Sequence, residues 1–558
     1  MDFPAFERDI IPGSKQLLLF ETNEPSGISI NSAAKKARVS NVTIRNWVKG
    51  RYLKQFANGL ISIDSLDYFL NTVAGSEKLN SRANKSFKDN HNHEELVKDV
   101  LLKLENNNTD FEYLSNEYES ALSDSYKNKE GIYYTPEFII KDLLDDFSGF
   151  DNSNLTFCDP CCGSGNFIIE AINIGFKPEN IFGFDTDPVA VEITKKRIKE
   201  KTGFDSDNIK NADFLTFITK HQNIEYDFIF TNPPWGKKIL KDDRKYLGKF
   251  FNIKKCMDTC ALFFIASLNC LKKDGISGFL LPESFFNIST FETARKKALG
   301  LNVLRIVDYG RAFKGLVTKA QAIIVKNNKA ENYFVACEYG NKKFNRSRNS
   351  FMKTPESIFN FYCSDKETEV IEHIYSFPHF TLENNAKWGL GIVTGNNSKY
   401  CVNNKKDGYM PVYKGADITK NGVKNPSLFI SKDMSLYQQV APVELYESKE
   451  KLIYKFISSN LCFFYDTEQR YILNSANMLV LNENQPISNK ELLYLLNSDI
   501  INWIFSKIFN TFKVLRGDLE KLPIHYAYFS NNNDFSEEKY LDYLKLERTP
   551  DGTYKIKT

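Results

Sequence analysis

The stretch Asp159–Phe167 decides the fold, and it reads DPCCGSGNF. It follows an apolar run over Leu155–Cys158 and leads into the helix-like run Asn166–Ile174, which is typical of a turn from a strand into a helix. Glycines in such a turn let the backbone approach a ligand closely. Asp185 ends the next apolar run, twenty residues beyond Gly165, where a carboxylate can bind both hydroxyls of a ribose. Together the two features indicate a nucleoside site.

The spacing of the glycines argues against a dinucleotide. A dinucleotide-binding loop has the pattern GxGxxG, and here the third glycine position is Ile168. S-adenosylmethionine carries no phosphate, so it fits this loop better than a pyrophosphate cofactor does. A purely structural turn would account for the glycines but would leave Asp185 unexplained.

Strand-like apolar runs alternate with amphipathic helical runs around this loop, and the alternation predicts an α/β fold with a parallel sheet. The predicted strands are 155–158, 180–184, 226–230, 277–281, 303–308 and 321–326, and the helices between the early strands are 166–174 and 188–201. Beyond about residue 375, short strand-like segments separated by Gly and Asn turns precede a helical stretch over 489–513. We predict a separate mixed α+β domain there.

A second motif follows the apolar run Tyr226–Phe230 and reads TNPPWG over Thr231–Gly236. Two prolines with fixed φ make this loop stiff. The side-chain carbonyl of Asn232 and the backbone carbonyl of Pro233 can both accept from one amino group, with Trp235 as a flat surface beside it. The amine of a base is a poor nucleophile because its lone pair is delocalised into the ring, and two acceptors favour a pyramidal nitrogen. Transfer to such an amine depends on positioning and charge placement.

The segment Ser29–Ile63 is strongly basic, which suits phosphate binding. It contains no acidic residue and seven basic ones, namely Lys35, Lys36, Arg38, Arg45, Lys49, Arg51 and Lys54. Ser32 as the cap of a first helix, and a second helix over Val42–Lys49 closed by Gly50, indicate a helix-turn-helix. The segment resembles the small winged modules of the MerR and excisionase type, whose second helix enters the major groove. The alternative is a helical cap with a solvated basic face.

Composition and length exclude several classes of protein. The chain has 558 residues, of which 42% are hydrophobic and 26% charged, as in ordinary globular proteins. The longest apolar run, Cys260–Leu271, is well short of the ~20 residues that span a bilayer. The N-terminus lacks the basic start and apolar core of a secretory signal, so we expect a cytoplasmic location and no membrane partner. Ten cysteines with a single CxxC predict neither a disulfide scaffold nor a metal site.

On these motifs the chain resembles the S-adenosylmethionine-dependent DNA amino-methyltransferases of restriction-modification systems, over about residues 131–326. Upstream of the glycine loop, Gly131–Pro136 reads GIYYTP and resembles the segment that closes over the methionine end of the cofactor in that family. Pro136 is expected as the first residue of a helix. Because this segment precedes the glycine loop, the motif order is γ. The resemblance implies a Rossmann-like methyltransferase domain that binds S-adenosylmethionine and double-stranded DNA.

The same resemblance implies a role for each motif residue. Asp159 and Gly163 would face the methionine part of the cofactor, Asp185 the ribose, Asp213 the adenine amine, and Phe214 the adenine face. The expected cofactor residues are Tyr134, Thr135, Asp159, Pro160, Gly163, Gly165, Asp185, Thr186, Asp213 and Phe214. The expected catalytic residues are Asn232, Pro233, Pro234 and Trp235. The fourth of these is commonly Tyr or Phe in the family, and Trp235 departs from that but keeps a π face.

A base inside duplex DNA cannot reach such a pocket, so the target nucleotide must be flipped out and stacked between aromatic side chains. By the resemblance, Trp235 and Phe313 would stack on the base. Basic side chains flank both, among them Lys237 and Lys238, and we expect them to contact phosphates. The expected contacts from the N-terminal module are Arg45 and Lys49. From about residue 377 to 558 the chain resembles target-recognition domains, on the segments 388–396, 413–418 and 519–524.

These observations predict four segments and one reaction. The segments are a helix-turn-helix-like DNA-binding module (1–73), a polar linker (74–95), a methyltransferase domain (96–375) and a target-recognition domain (376–558). The reaction is transfer of a methyl group to N6 of adenine at a specific site in double-stranded DNA. The alternatives are cytosine N4, a protein glutamine amide, and a DNA-binding regulator without catalysis. The first 130 residues show no acidic-pair-plus-lysine motif on a strand, so we expect any restriction endonuclease to be encoded separately.

Overall fold

The computed structural model describes most of the chain beyond residue 26. The described residues are 27–37, 39–49, 52–56, 58–72, 96–106, 109–122, 127, 131–221, 223–237, 239, 241–253, 258–313, 316, 318–509, 511, 513–530, 532 and 534–557. The expected linker over 74–95 lies outside them. The chain divides into two compact bodies: the first holds residues 1–217 and 234–237, and the second holds 218–233 and 238–558.

The N-terminal part of the first body is a small helical module with its own core. Strands β1 (Gly27–Ile28) and β2 (Ile61–Ser62) pair antiparallel. The helices are Ile30–Lys36, Asn41–Lys49 and Ile63–Thr72. Their buried side chains form one cluster, which includes Ala33, Ala37, Ile44, Trp47, Leu66 and Phe69. The expected cap at Ser32 is wrong: the first helix is capped by Ser29, whose Oγ accepts from the backbone N–H of Ser32 at 3.1 Å.

The rest of the first body contains three parallel strands and the helices around them. Strands β3 (Phe157–Asp159), β4 (Ile181–Asp185) and β5 (Ile209–Asn211) lie in the order β3-β4-β5. The helices are 96–104, Phe111–Ala121, Glu137–Asp145, Asn166–Asn173 and Pro188–Thr202, and a further helix, Phe214–Lys220, starts here. The short strand β5 was not among the predicted strands. Parallel strands with helical crossovers place the carboxyl ends of β3 and β4 at one edge, where loops form ligand sites.

The second body contains a mixed sheet of six strands in the order β6-β7-β9-β8-β10-β11. The strands are β6 (Tyr226–Thr231), β7 (Leu271–Pro282), β8 (Asn302–Asp308), β9 (Ala320–Lys326), β10 (Phe334–Tyr339) and β11 (Lys342–Ser347). The helices along this part are Lys241–Phe250, Thr259–Asn269, Glu283–Asn287, Glu292–Leu299, Arg348–Met352 and Asp365–Tyr375. β7 runs parallel to β6, whereas β9 runs antiparallel to both β7 and β8. The prediction of a parallel sheet is therefore wrong at β9.

The C-terminal part of the second body is mixed α+β, as predicted. Its strands are β12 (Ala386–Leu390), β13 (Tyr409–Tyr413), β14 (Ile418–Thr419), β15 (Gly422–Val423), β16 (Leu428–Ser431), β17 (Lys451–Lys455), β18 (Phe463–Asp466), β19 (Tyr471–Ile472), β20 (Ala476–Leu481), β21 (Leu546–Arg548) and β22 (Tyr554–Ile556). Its helices are Asn397–Tyr400, Val443–Tyr446, Asn489–Asn497, Asp499–Ile508, Arg516–Leu519, Ala527–Ser530 and Glu537–Tyr543. The predicted helical stretch over 489–513 begins with two helices that meet at Ser498, which ends the first in an extended conformation and caps the second.

His525 lies in the core of this part with no exposed surface, and its two ring nitrogens have different partners. Nε2 is 3.1 Å from the carbonyl oxygen of Ile374, which can only accept, so Nε2 donates there. Nδ1 therefore accepts from the hydroxyl of Tyr540 at 2.6 Å. The neutral ring satisfies both contacts, and burial lowers the pKa of His525 to about 4.

We predict that this histidine weakens the fold in acid. Between pH 4 and its ordinary pKa near 6.5, the unfolded state binds more protons than the folded state, so the free energy of unfolding decreases as the pH is lowered. From pH 8 to pH 5 the loss is about 2 kcal/mol. Urea unfolding at both pH values, in the wild type and in His525→Gln, measures it. The variant should lose that part of the acid dependence, whereas the exposed control His221→Gln keeps it; equal slopes in all three proteins contradict the prediction.

Candidate cofactor and base site

The glycine loop joins β3 to the helix Asn166–Asn173, and two of its residues need glycine. Gly163 and Gly165 have φ of +51° and +92°, in the left-handed region that favours glycine. A Cβ on Gly165 would lie 2.8 Å from the side chain of Thr194, and one on Gly163 would lie 3.2 Å from the ring of Tyr134. The loop therefore leaves bare backbone beside Tyr134, as the sequence predicts for close approach of a ligand.

Asp185 ends β4 and holds the glycine loop by its carboxylate. Its Oδ2 accepts from the backbone N–H of Gly163 and its Oδ1 from that of Asp187, both at 2.9 Å. Burial raises the pKa of Asp185 to about 6. Asp159 and Pro160 are buried at the end of β3, and Thr186 is exposed next to Asp185. Three features fit a nucleoside that carries hydroxyl groups: the bare glycine backbone, the half-buried carboxylate of Asp185 as a hydrogen-bond acceptor, and the aromatic ring of Tyr134.

The two residues expected to contact the adenine of the cofactor, Asp213 and Phe214, differ in their exposure. Asp213 is exposed, and its Oδ1 caps the following helix by accepting from the backbone N–H of Thr216 at 2.7 Å. Phe214 is only 1% exposed, and its ring packs edge-on against Phe184 at 5.3 Å between centroids. This differs from the expectation that Phe214 offers its ring face to adenine. An apolar residue directly after a helix-capping residue can instead pack into the core beneath that helix, as Phe214 does here.

The base loop is the TNPPWG motif, Thr231–Gly236, at the end of β6, and it is hydrogen-bonded to the closing segment Gly131–Pro136. The backbone N–H of Trp235 donates to the carbonyl oxygen of Gly131 at 3.0 Å. Gly131 has φ of +71°, and a Cβ there would lie 2.5 Å from the carbonyl oxygen of Trp235. The ring of Trp235 lies 5.8 Å from that of Tyr133 and is 8% exposed. Sequence reasoning missed Tyr133, although it adjoins Tyr134 in the same motif.

The other residues of these two segments are placed as follows. Asn232 is half-buried and Pro233 buried directly after β6, and Pro234 is half-buried. Tyr134 is half-buried, and its pKa is raised well above its usual value by burial. Thr135 is 8% exposed. The helix that follows begins at Glu137 with Pro136 as its N-cap, one residue later than expected.

The expected DNA contacts are described only in part. Phe313, in the second body, is 7% exposed, and Arg311 beside it is exposed. Arg45 is exposed on the second helix of the N-terminal module, and Lys237 is half-buried after the base loop. Lys238 and the side chain of Lys49 lie outside the described residues.

Comparison with known proteins identifies the family. The family described as N-6 DNA Methylase matches residues 109–381, and the TaqI-like C-terminal specificity domain matches residues 410–524. The type II methyltransferase M.VspI of Vibrio sp. (strain 343) is 47% identical over 409 residues, which are 73% of this chain and 100% of that protein. The chain belongs to this family of DNA methyltransferases.

Other similar proteins are more distant from this methyltransferase. The modification methylase CviBIII of Paramecium bursaria Chlorella virus NC1A is 27% identical over 232 residues, which are 40% of this chain and 57% of that protein. The solved structure of the type IIL restriction-modification enzyme MmeI in complex with DNA covers 73% of this chain and 70% of its own, with 12% identity and a TM-score of 0.49.

The family confirms the main predictions from the motifs. The methyltransferase is an α/β enzyme of a restriction-modification system, with S-adenosylmethionine as methyl donor and DNA as partner, and with a C-terminal specificity domain. No helix in the described part of the methyltransferase is long and apolar enough to cross a bilayer.

Proposed function

We propose that the enzyme methylates N6 of an adenine that is flipped out of double-stranded DNA at one specific site. The observation that carries the proposal is the base loop itself, TNPPWG, held by the bond from the N–H of Trp235 to Gly131. A loop fixed in this way presents the carbonyl groups of Asn232 and Pro233 as acceptors at the end of a buried strand. The description N-6 DNA Methylase of the matching family supports adenine as the base.

In this proposal the chain supplies positioning and charge. When bound, S-adenosylmethionine supplies a methyl group on a positively charged sulfur. Asp185 binds the ribose, Asp213 the adenine amine, and Asp159 and Gly163 face the methionine part. The carbonyl oxygens of Asn232 and Pro233 accept hydrogen bonds from the two N–H groups of the target amine and so direct its lone pair at the methyl group. Orientation of this kind supplies a large part of the rate enhancement in transfer reactions.

DNA contacts come from several parts of the chain. Trp235 and Phe313 stack on the flipped base, while Lys237, Lys238, Arg45 and Lys49 bind phosphates. We assign 1–73 as a DNA-binding module, 74–95 as a linker, 96–375 as the methyltransferase domain and 376–558 as the target-recognition domain. The enzyme acts in the cytoplasm beside a separately encoded endonuclease.

Sequencing of native DNA tests the proposal. The protein is expressed in cells without other DNA methyltransferases, and modified bases are mapped across their genome. We expect N6-methyladenine at one short motif, and none in cells that express Asn232→Ala at the same level. N4-methylcytosine at the motif would overturn the assignment of the base, and an unmodified genome would overturn DNA methylation by this chain alone.

A further inference from the structure

A carboxylate outside the sequence motifs described above is hydrogen-bonded to the glycine loop. Glu119 lies on the helix Phe111–Ala121, and its Oε1 accepts from the hydroxyl of Ser164 and from Nδ2 of Asn166, the latter at 3.2 Å. Ser164 is part of the glycine loop, and Asn166 begins the helix after it. Glu119 therefore holds the loop at a point one residue away from both of its left-handed glycines.

The arginine beside this carboxylate is engaged elsewhere. Arg197 is 4% exposed and donates to the carbonyl oxygen of Ser164 at 2.6 Å and to Oδ1 of Asn166 at 2.7 Å. Its ion pair is with Glu112. Within the described ranges, Glu119 makes no ion pair and its Oε2 makes no hydrogen bond. A half-buried carboxylate thus lies next to the glycine loop without a cation in contact.

The charged and titratable groups around Glu119 leave it poorly compensated. Arg197 and Lys127 are the positive charges that act on it, and both are weaker influences than burial. Tyr134 is a further titratable group in this region, and Glu119, Tyr118 and the carboxylates of Asp185 and Asp187 all act on it. Burial outweighs the two positive charges and raises the pKa of Glu119 to about 7.

S-adenosylmethionine brings the missing charge, because it carries a sulfonium and an ammonium against a single carboxylate. We propose that Glu119 belongs to the cofactor site: it holds Ser164 and Asn166 through one oxygen and faces the cationic methionine end with the other. This inference rests on the proposed placement of the methionine part at the glycine loop. It adds an acidic group to that end of the site, beyond the residues that the sequence motifs indicate.

Proton release on cofactor binding tests the inference without DNA or turnover. Calorimetric titration of S-adenosylmethionine at pH 7, in two buffers of different ionisation enthalpy, measures the protons released. A cation that binds beside a half-protonated carboxylate lowers its pKa, so the wild type should release roughly half a proton more than Glu119→Gln. We also expect Glu119→Gln to bind about tenfold more weakly, which corresponds to one unit of pKa.

A variant on the same helix provides the control. Glu117→Gln removes a carboxylate that pairs with Lys103 and makes no contact with the loop, so it should behave as the wild type. Equal proton release by Glu119→Gln and the wild type would overturn the inference, whether or not the affinity changes, because a carboxylate that only holds the loop releases no proton. Loss of DNA methylation with intact proton release would instead count against the proposed reaction.

Discussion

Replacement of Asn232 by alanine should lower kcat for methyl transfer by about 10²- to 10³-fold, the usual effect of removing one preorganised polar group at a reacting centre. The variant loses the side-chain carbonyl that accepts a hydrogen bond from the target amine. Its affinity for duplex DNA and for S-adenosylmethionine should stay close to that of the wild type, because the phosphate contacts and the glycine loop are untouched. Single-turnover transfer of a labelled methyl group measures kcat, and gel-shift and calorimetric titrations measure the two affinities.

A matched control separates this effect from a general effect of removing an asparagine. Asn173 is exposed at the end of its helix, so Asn173→Ala should keep full activity. A variant at Asn232 that retains more than about a tenth of the wild-type rate would show that the Pro233 carbonyl and the loop suffice, since such a loss is below the usual effect of one group.

Gly131→Ala should lower kcat by about 10²-fold, because the added Cβ displaces the base loop. The methyl group would meet the carbonyl oxygen of Trp235 at 2.5 Å and its N at 2.9 Å, both of them backbone atoms that cannot rotate away. The φ of +71° also costs an L-residue roughly 1–2 kcal/mol. A displacement of about 1 Å at a reacting centre is enough for such a loss.

Gly149→Ala is the control for this variant. Gly149 lies in the same body, does not adopt a positive φ, and has nothing within 4 Å of the added Cβ. It should therefore keep wild-type activity and stability. If Gly131→Ala is as active as this control in the same single-turnover assay, the contact between the closing segment and the base loop has no part in catalysis.

The parts of the site that could be predicted are those whose residue types are forced by local geometry. Gly163 and Gly165 adopt left-handed φ, so glycine is the residue that the turn requires, and Asp185 ends a short buried strand. The predicted ends of the strands are within a few residues of those observed, except that β7 begins six residues earlier, at Leu271. Long apolar runs mark strands well, because burial on both faces removes polar residues from them.

What could not be predicted depends on contacts between distant residues. The antiparallel direction of β9 follows from its pairing with β7 and β8, which no local pattern encodes. Glu119 meets Ser164 across 45 residues and Arg197 meets Glu112 across 85, so neither partner signals the other in the sequence. Phe214 follows a capping aspartate, and only packing against Phe184 shows that its ring is in the core.

The hydrogen bond from Trp235 to Gly131 has a consequence for how the binding of one ligand affects the binding of the other. It joins the segment expected over the cofactor to the loop expected around the base, so a ligand that orders one of them also restrains the other. Thermodynamic linkage then makes the effect reciprocal: the factor by which a bound cofactor analogue tightens DNA equals the factor by which DNA tightens the analogue. The free energy of forming the ternary complex is therefore the same whichever ligand binds first.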